Sequence, residues 1–305
     1  MNFARIFRDY ALLWAMLLGI LFHPWLWKWA PLTTYTLFLM LLLSYTKIKP
    51  TDIKFTRTHL LMFAIQWIAA MLSYFIIEPY DHTVAIGVAL LILTPTATAA
   101  PVITSMLGGS IAFVTTYLIV SNVAIALIGP VLIGLVYPEM QMGYWDTVLT
   151  ILSQVSMLLV LPLGIAWGLR YTVPKIHDKL SNLSFLTFWM WVLNIMILIG
   201  AAVHTYLTSE QLTPRYTLLL LLITLATTLG LYYLGGRSAK WTGAIIVNGR
   251  QTLGQKNTVF SIWLAMTFLD PEIAFFPTLY IVIQNVINSL ELAAHQRAKH
   301  KYKEC

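Results

Sequence analysis

The chain has 305 residues, 59% of them hydrophobic and 10% charged, with a formal net charge of +7. A soluble domain is about a quarter charged, so this composition, with a mean hydropathy of +0.76, excludes a water-soluble globule and predicts an integral membrane protein. The single cysteine, Cys305, excludes an intrachain disulfide and any cysteine-based metal centre.

The apolar runs are long rather than short and alternating, which selects an all-α membrane protein over a closed barrel. In chain order the segments are Tyr10–Trp27, Leu32–Thr46, Leu60–Ile77, Thr83–Leu107 and Ala112–Val136. Val148–Leu169, Leu183–Val203, Thr217–Leu234, Trp241–Leu269 and Ile273–Leu292 follow. Most reach the ~20 residues that cross the hydrocarbon core, so ten transmembrane helices are expected. The first segment has no small-residue cleavage pattern and is read as a span, not a signal peptide. The second is short, and its ends are expected at the interface.

Charge orients the spans. With the N-terminus inside, 15 of the 19 Lys and Arg fall in cytoplasmic loops, and only Lys28 and Arg215 fall outside. Arg250 and Lys256 remain within a span. This is a positive-inside pattern with both termini cytoplasmic, as for a multi-pass protein of the cell inner membrane. It also explains the net positive charge, so no nucleic-acid partner is expected. All twelve acids fall in loops, Glu291 among the cytoplasmic ones, and none is expected in the membrane interior.

Ten spans divide into two five-helix halves that enter the membrane in opposite directions, an inverted repeat common in secondary transporters. The fourth and ninth segments then correspond, and both are interrupted. The fourth carries "TPTATAAP", with Pro95 and Pro101; the ninth carries "GRQTLGQKN". Proline breaks a helix interior, and broken backbone at membrane depth is tolerated only inside protein or along a wet cavity. Paired interruptions point to a substrate site.

At these stretches the chain resembles the bile acid:sodium symporter family. "TATAAPVITSMLGGS" aligns from Thr96 to Ser110 with that family's fourth segment. Gln251, Leu253, Gln255 and Lys256 fall on the fixed positions of its E-x-G-x-Q-N motif, and Gln66 falls on its third-segment glutamine. The resemblance implies broken helices 4 and 9 that cross within a core of residues 57–138 (helices 3–5) and 211–305 (helices 8–10 and a short cytoplasmic tail). A panel of residues 1–56 (helices 1–2) and 139–210 (helices 6–7) completes it. It also implies two sodium ions behind the crossing and an organic anion in front.

The chain departs from that pattern at the ions. The first-site positions are Ala100, Pro101, Val114, Leu118 and Gln251, of which only Gln251 offers a side-chain oxygen. A hard cation needs several. At the second site Gln66, Gln251 and Gln255 keep oxygens but no negative charge, and Lys256 stands where the family has Asn. A charged lysine about 4 Å from a sodium ion repels it by roughly 4 kcal/mol at an effective dielectric of 20. The expectation is that the Lys256 ammonium replaces bound sodium, donating to the Gln66, Gln251 and Gln255 oxygens.

Thr98 and Ala99 begin the second half-helix of segment 4. The Thr98 hydroxyl serves either a substrate anion or the helix cap. Asn257 and Lys256 complete the candidate substrate face. Arg250 reaches either the cytoplasmic vestibule or the anion. Ser153, Gln154 and Asn194, polar residues within segments 6 and 7, either pair helices or line the cavity. His204 reads as interfacial, and the tryptophans as segment-end anchors.

The functional expectation is alternating-access transport of a small organic anion across the lipid bilayer, independent of sodium, with no cofactor and no metal. Proton coupling depends on whether Lys256 gives up its charge during the cycle. An enzyme is not expected, because no catalytic constellation can be assembled. An ordinary sodium symporter and a non-transporting sensor on the same fold are the alternatives.

Overall fold

The computed structural model describes residues 11–136, 144–210 and 212–303. Of the positions used to orient the chain, Arg5, Arg8, Asp9, Glu139, Glu304 and Cys305 lie outside the described residues. Within them every regular element is a helix. In chain order these are α1 (Ala11–Leu21), α2 (His23–Leu26), α3 (Leu32–Tyr45), α4 (Arg57–Ile77) and α5 (His82–Leu93). Then come α6 (Ala100–Met106), α7 (Ile111–Val136), α8 (Tyr144–Leu159), α9 (Leu161–Thr172) and α10 (Pro174–Asn182). The last are α11 (Leu186–Thr208), α12 (Pro214–Trp241), α13 (Ile246–Gly254), α14 (Thr258–Phe268) and α15 (Phe275–Lys303).

Among the described residues five stretches are long and apolar enough to cross a membrane, spanning 57–77, 111–135, 174–208, 214–241 and 271–295. Counting each of two bent pairs as one span gives up to seven; α3 bends 62° from the short helical run before it, and α8 bends 41° from α9. Among the described residues the fold is therefore all-helical, with the apolar helices of a membrane protein. The fourth and ninth apolar segments are each split, into α5 with α6 and α13 with α14, so neither half reaches spanning length alone.

The chain forms two compact units: residues 1–50, 126–217 and 259–278, and residues 51–125, 218–258 and 279–305. Residues 259–278, which the sequence reading groups with the core, cluster with the first unit. The division falls where α13 and its extended exit end and α14 begins.

In the first unit α11 packs on α1, α2 and α3, and α9 packs on α3. The α1–α11 contact is close at Gly19, where a Cβ would lie 2.8 Å from the Met196 carbonyl oxygen. Small residues let membrane helices approach in this way. Beyond the end of α3, its last carbonyls find donors. Arg170 donates to the Thr46 oxygen at 2.7 Å, His177 Nε2 to the same oxygen at 3.1 Å, and Trp167 to the Ile48 oxygen at 3.2 Å.

In the second unit α4 packs along α5, and α13 packs on α6 and α4. The Asp81 side chain caps α5, accepting from the Val84 N–H at 2.9 Å, which satisfies one orphan donor of the first turn. Gly108 and Gly243 sit at φ +81° and +73° in the turns after α6 and α12, a conformation that disfavours other L-residues. The first of these turns is tied to α13 by the Ser110 N–H, which donates to Asn248 Oδ1 at 2.7 Å. Gly235 of α12 and Gly249 of α13 meet backbone to backbone: a Cβ on Gly249 would lie 2.0 Å from the Gly235 oxygen.

Candidate functional site

The two interruptions meet in the second unit. Thr96 and Lys256 form an isolated antiparallel bridge. The Ala97 N–H donates to the Gln255 oxygen at 3.0 Å, and the Asn257 N–H to the Pro95 oxygen at 2.8 Å. Each broken segment thereby supplies the hydrogen bonds that the other loses. Buried backbone groups need such partners.

The end of α5 shows how strictly this holds. Pro95 has no N–H to continue the helix, and the amides that follow it turn elsewhere: the Thr96 N–H lies 3.4 Å from Ser121 Oγ. The carbonyls of Ile92, Leu93 and Thr94 are left facing the crossing. Gln66 Nε2 lies 2.8, 3.1 and 3.2 Å from these three oxygens, and its own Oε1 accepts from the Tyr117 hydroxyl at 2.6 Å. Lys256 Nζ donates to the Ile92 oxygen at 2.9 Å and the Thr94 oxygen at 3.0 Å. The residue is only 1% exposed. A cation thus stands at the negative end of a helix, where partial charge and free carbonyls both favour it.

This corrects the expected donor pattern. Lys256 bonds to main-chain carbonyls, not to the Gln66, Gln251 and Gln255 side-chain oxygens. Two of these are otherwise engaged: Gln66 Oε1 by Tyr117, and Gln251 Oε1 by Gln255 Nε2, which also lies 3.1 Å from Asn288 Oδ1. The Lys256 backbone is held as well, its N–H donating to Gln284 Oε1 at 3.0 Å.

The end of α13 is satisfied in the same manner. The Thr96 hydroxyl donates to the Thr252 oxygen at 2.7 Å, and the Tyr280 hydroxyl to the Gly254 oxygen at 2.6 Å.

A second correction concerns acid. Glu291 lies on α15 within a stretch apolar enough to span, and its side chain is 19% exposed. Its Oε1 accepts from Arg250 Nε at 2.7 Å and also from Arg250 Nη2, and its Oε2 accepts from Gln251 Nε2 at 2.6 Å. The guanidinium also faces the Tyr232 ring at 5.9 Å. Arg250 is therefore neutralised within its own unit rather than left as a bare cation. A loop assignment missed this because α15 runs on as one helix through residue 291.

Thr98 is half-buried and Ala99 exposed. Ala99, not Thr98, occupies the cap position of α6 and makes no side-chain cap bond, while Ala100 and Pro101 are buried in the first turn. Asn257 is buried at the crossing. In the first unit Asn194 is buried, accepts from the Thr36 hydroxyl and donates to Met40 Sδ at 3.3 Å. Of its two readings, helix pairing is the one its polar atoms adopt. Gln154 and Ser153 are exposed. The His204 ring stacks on Trp27 with centroids 4.4 Å apart.

Residues beyond the motif complete the cluster: Tyr117, Tyr232, Tyr280, Gln284, Asn288 and Glu291. A stripe was visible in the sequence, since Gln284, Asn288 and Glu291 recur at four- and three-residue spacing, one face of a helix. Comparison of the chain with protein-family models and with curated proteins gives no match to either.

Proposed function

We propose that the protein is a secondary transporter of a small organic anion, resembling the bile acid:sodium symporters but independent of sodium. In this reading the chain crosses the inner membrane ten times as two inverted five-helix repeats, with both termini cytoplasmic. A core and a panel rock against each other around the crossing of the two broken segments.

The observation that carries the reading is the Lys256 ammonium bonded to the Ile92 and Thr94 carbonyls. A tethered cation does there what a dissolved one would do: it neutralises the end of a broken helix and braces the crossing. It cannot leave, so it supplies no ion gradient. Uniport or exchange follows if the lysine keeps its charge, and proton coupling if it does not. With Arg250 paired to Glu291, Lys256 is the positive charge that favours an anionic solute.

A thermal-shift screen of organic anions on the purified protein tests this, run in sodium and in choline. At least one organic acid stabilises the wild type equally in both media, while its neutral amide and Lys256→Ala show no such effect. Stabilisation that requires sodium would sink the proposal.

A further inference from the structure

We propose that Glu291 is a positioning residue that fixes the direction of a carboxamide relay, so that Gln255 has only its oxygen left to offer at the crossing. A carboxylate accepts hydrogen bonds and cannot donate them. Gln251 must therefore turn its Nε2 toward Glu291 Oε2, at 2.6 Å. Its Oε1 is then aimed at Gln255, which must answer with Nε2. The same nitrogen donates to Asn288 Oδ1 at 3.1 Å, an oxygen that also receives the Tyr232 hydroxyl at 3.0 Å. Both amide hydrogens of Gln255 are spent, and the residue is 2% exposed immediately before Lys256.

Arg250 makes the device directional. It too can only donate, and it holds Glu291 Oε1 through Nε and Nη2. A glutamine at 291 has one oxygen, which Arg250 claims, and its NH₂ must then face Gln251. Glu291→Gln therefore reverses the relay: Gln251 accepts from residue 291 and donates to the Gln255 oxygen. The acid on α15 sets what a group on α13 presents, two side chains away. If the transport reading holds, and this consequence rests on it, the bound acid also carries a hydroxyl or N–H to meet the Gln255 oxygen.

The relay is tested without substrate, on the full chain in lipid nanodiscs with ¹⁵N-labelled glutamine side chains. Hydrogen–deuterium exchange of the side-chain amides is followed by NMR; the sequence holds eight glutamines, and Gln255 is assigned by its loss in Gln255→Glu. In the wild type both Gln255 amide hydrogens exchange slowly. In Glu291→Gln the turned amide leaves both partners, so both hydrogens exchange roughly tenfold faster, the loss of one hydrogen bond each, while backbone amides of α5 and α13 keep their protection. The swap Gln251→Glu with Glu291→Gln puts an acceptor back beside Gln255 and restores slow exchange. Unchanged protection in Glu291→Gln with the fold intact overturns the proposal. Should Glu291→Gln not fold, the swap decides alone: fast exchange of both Gln255 hydrogens there overturns it, and slow exchange supports it.

Discussion

The approach of α12 and α13 at Gly235 and Gly249 gives a sharp test of how the site is held. In Gly249→Ala the new Cβ would lie 2.0 Å from the Gly235 oxygen and 2.8 Å from the Ala239 Cβ. Both obstacles are rigid, one being main chain, so the helices must part by roughly 1 Å to reach even a tight contact in a close-packed interior. A gap of that size forfeits a quarter to a half of the dispersion attraction along the seam, and overpacking of this kind costs about 1–3 kcal/mol or more. Alanine returns up to ~1 kcal/mol of helix preference, so strain wins. Gly230 is the control: it lies within α12 with nothing within 4 Å of a Cβ, and Gly230→Ala keeps the full helix gain. Thermal unfolding of both variants in one detergent should lower the midpoint for Gly249→Ala and leave it unchanged or raised for Gly230→Ala. At roughly 2 °C per kcal/mol for a chain of this size, the two should differ by several degrees. A Gly249→Ala protein as stable as the wild type would refute the backbone-to-backbone seam.

Two further outcomes follow from other parts of the molecule. Tyr117→Phe removes the hydroxyl that satisfies Gln66 Oε1 at 2.6 Å and should cost about 1–3 kcal/mol, the penalty of an unmet buried acceptor, read as a lowered unfolding midpoint. A reporter fused after Cys305 should be active only in the cytoplasm, and activity on the far side would end the ten-span, positive-inside assignment.

The sequence made the breaks legible and the partners of the breaks much less so. Pro95 and the polar run from Gly249 to Asn257 announce interrupted helices, because both violate what lipid allows of a continuous span. That Lys256 lies inside was equally readable, since a cation in the middle of an apolar run has little else to explain it. Its ligands were not readable. They are main-chain oxygens of Ile92 and Thr94, and carbonyls leave no mark on residue identity. Glu291 was misjudged for a related reason: a charge near the end of an apolar run reads as loop, yet helix α15 continues and turns that carboxylate toward Arg250. Asn194 could be read either way, as polar residues inside spans can, and only the positions of Thr36 and Met40 decide it.

The bridge between Thr96 and Lys256 also bears on how the protein comes to be made. Its two partners are separated by 160 residues (256 − 96), so at a synthesis rate of about 5–20 residues per second the first waits on the order of 8–32 s for the second. During that interval Pro95 and the end of α5 have no Asn257 amide and no Lys256 ammonium to answer their carbonyls, a state that hydrocarbon penalises by several kcal/mol per group. The fourth segment should therefore linger at the insertion machinery or beside water until the ninth emerges. A ribosome stalled before residue 256 would leave a chain whose first break has nowhere in the bilayer to rest.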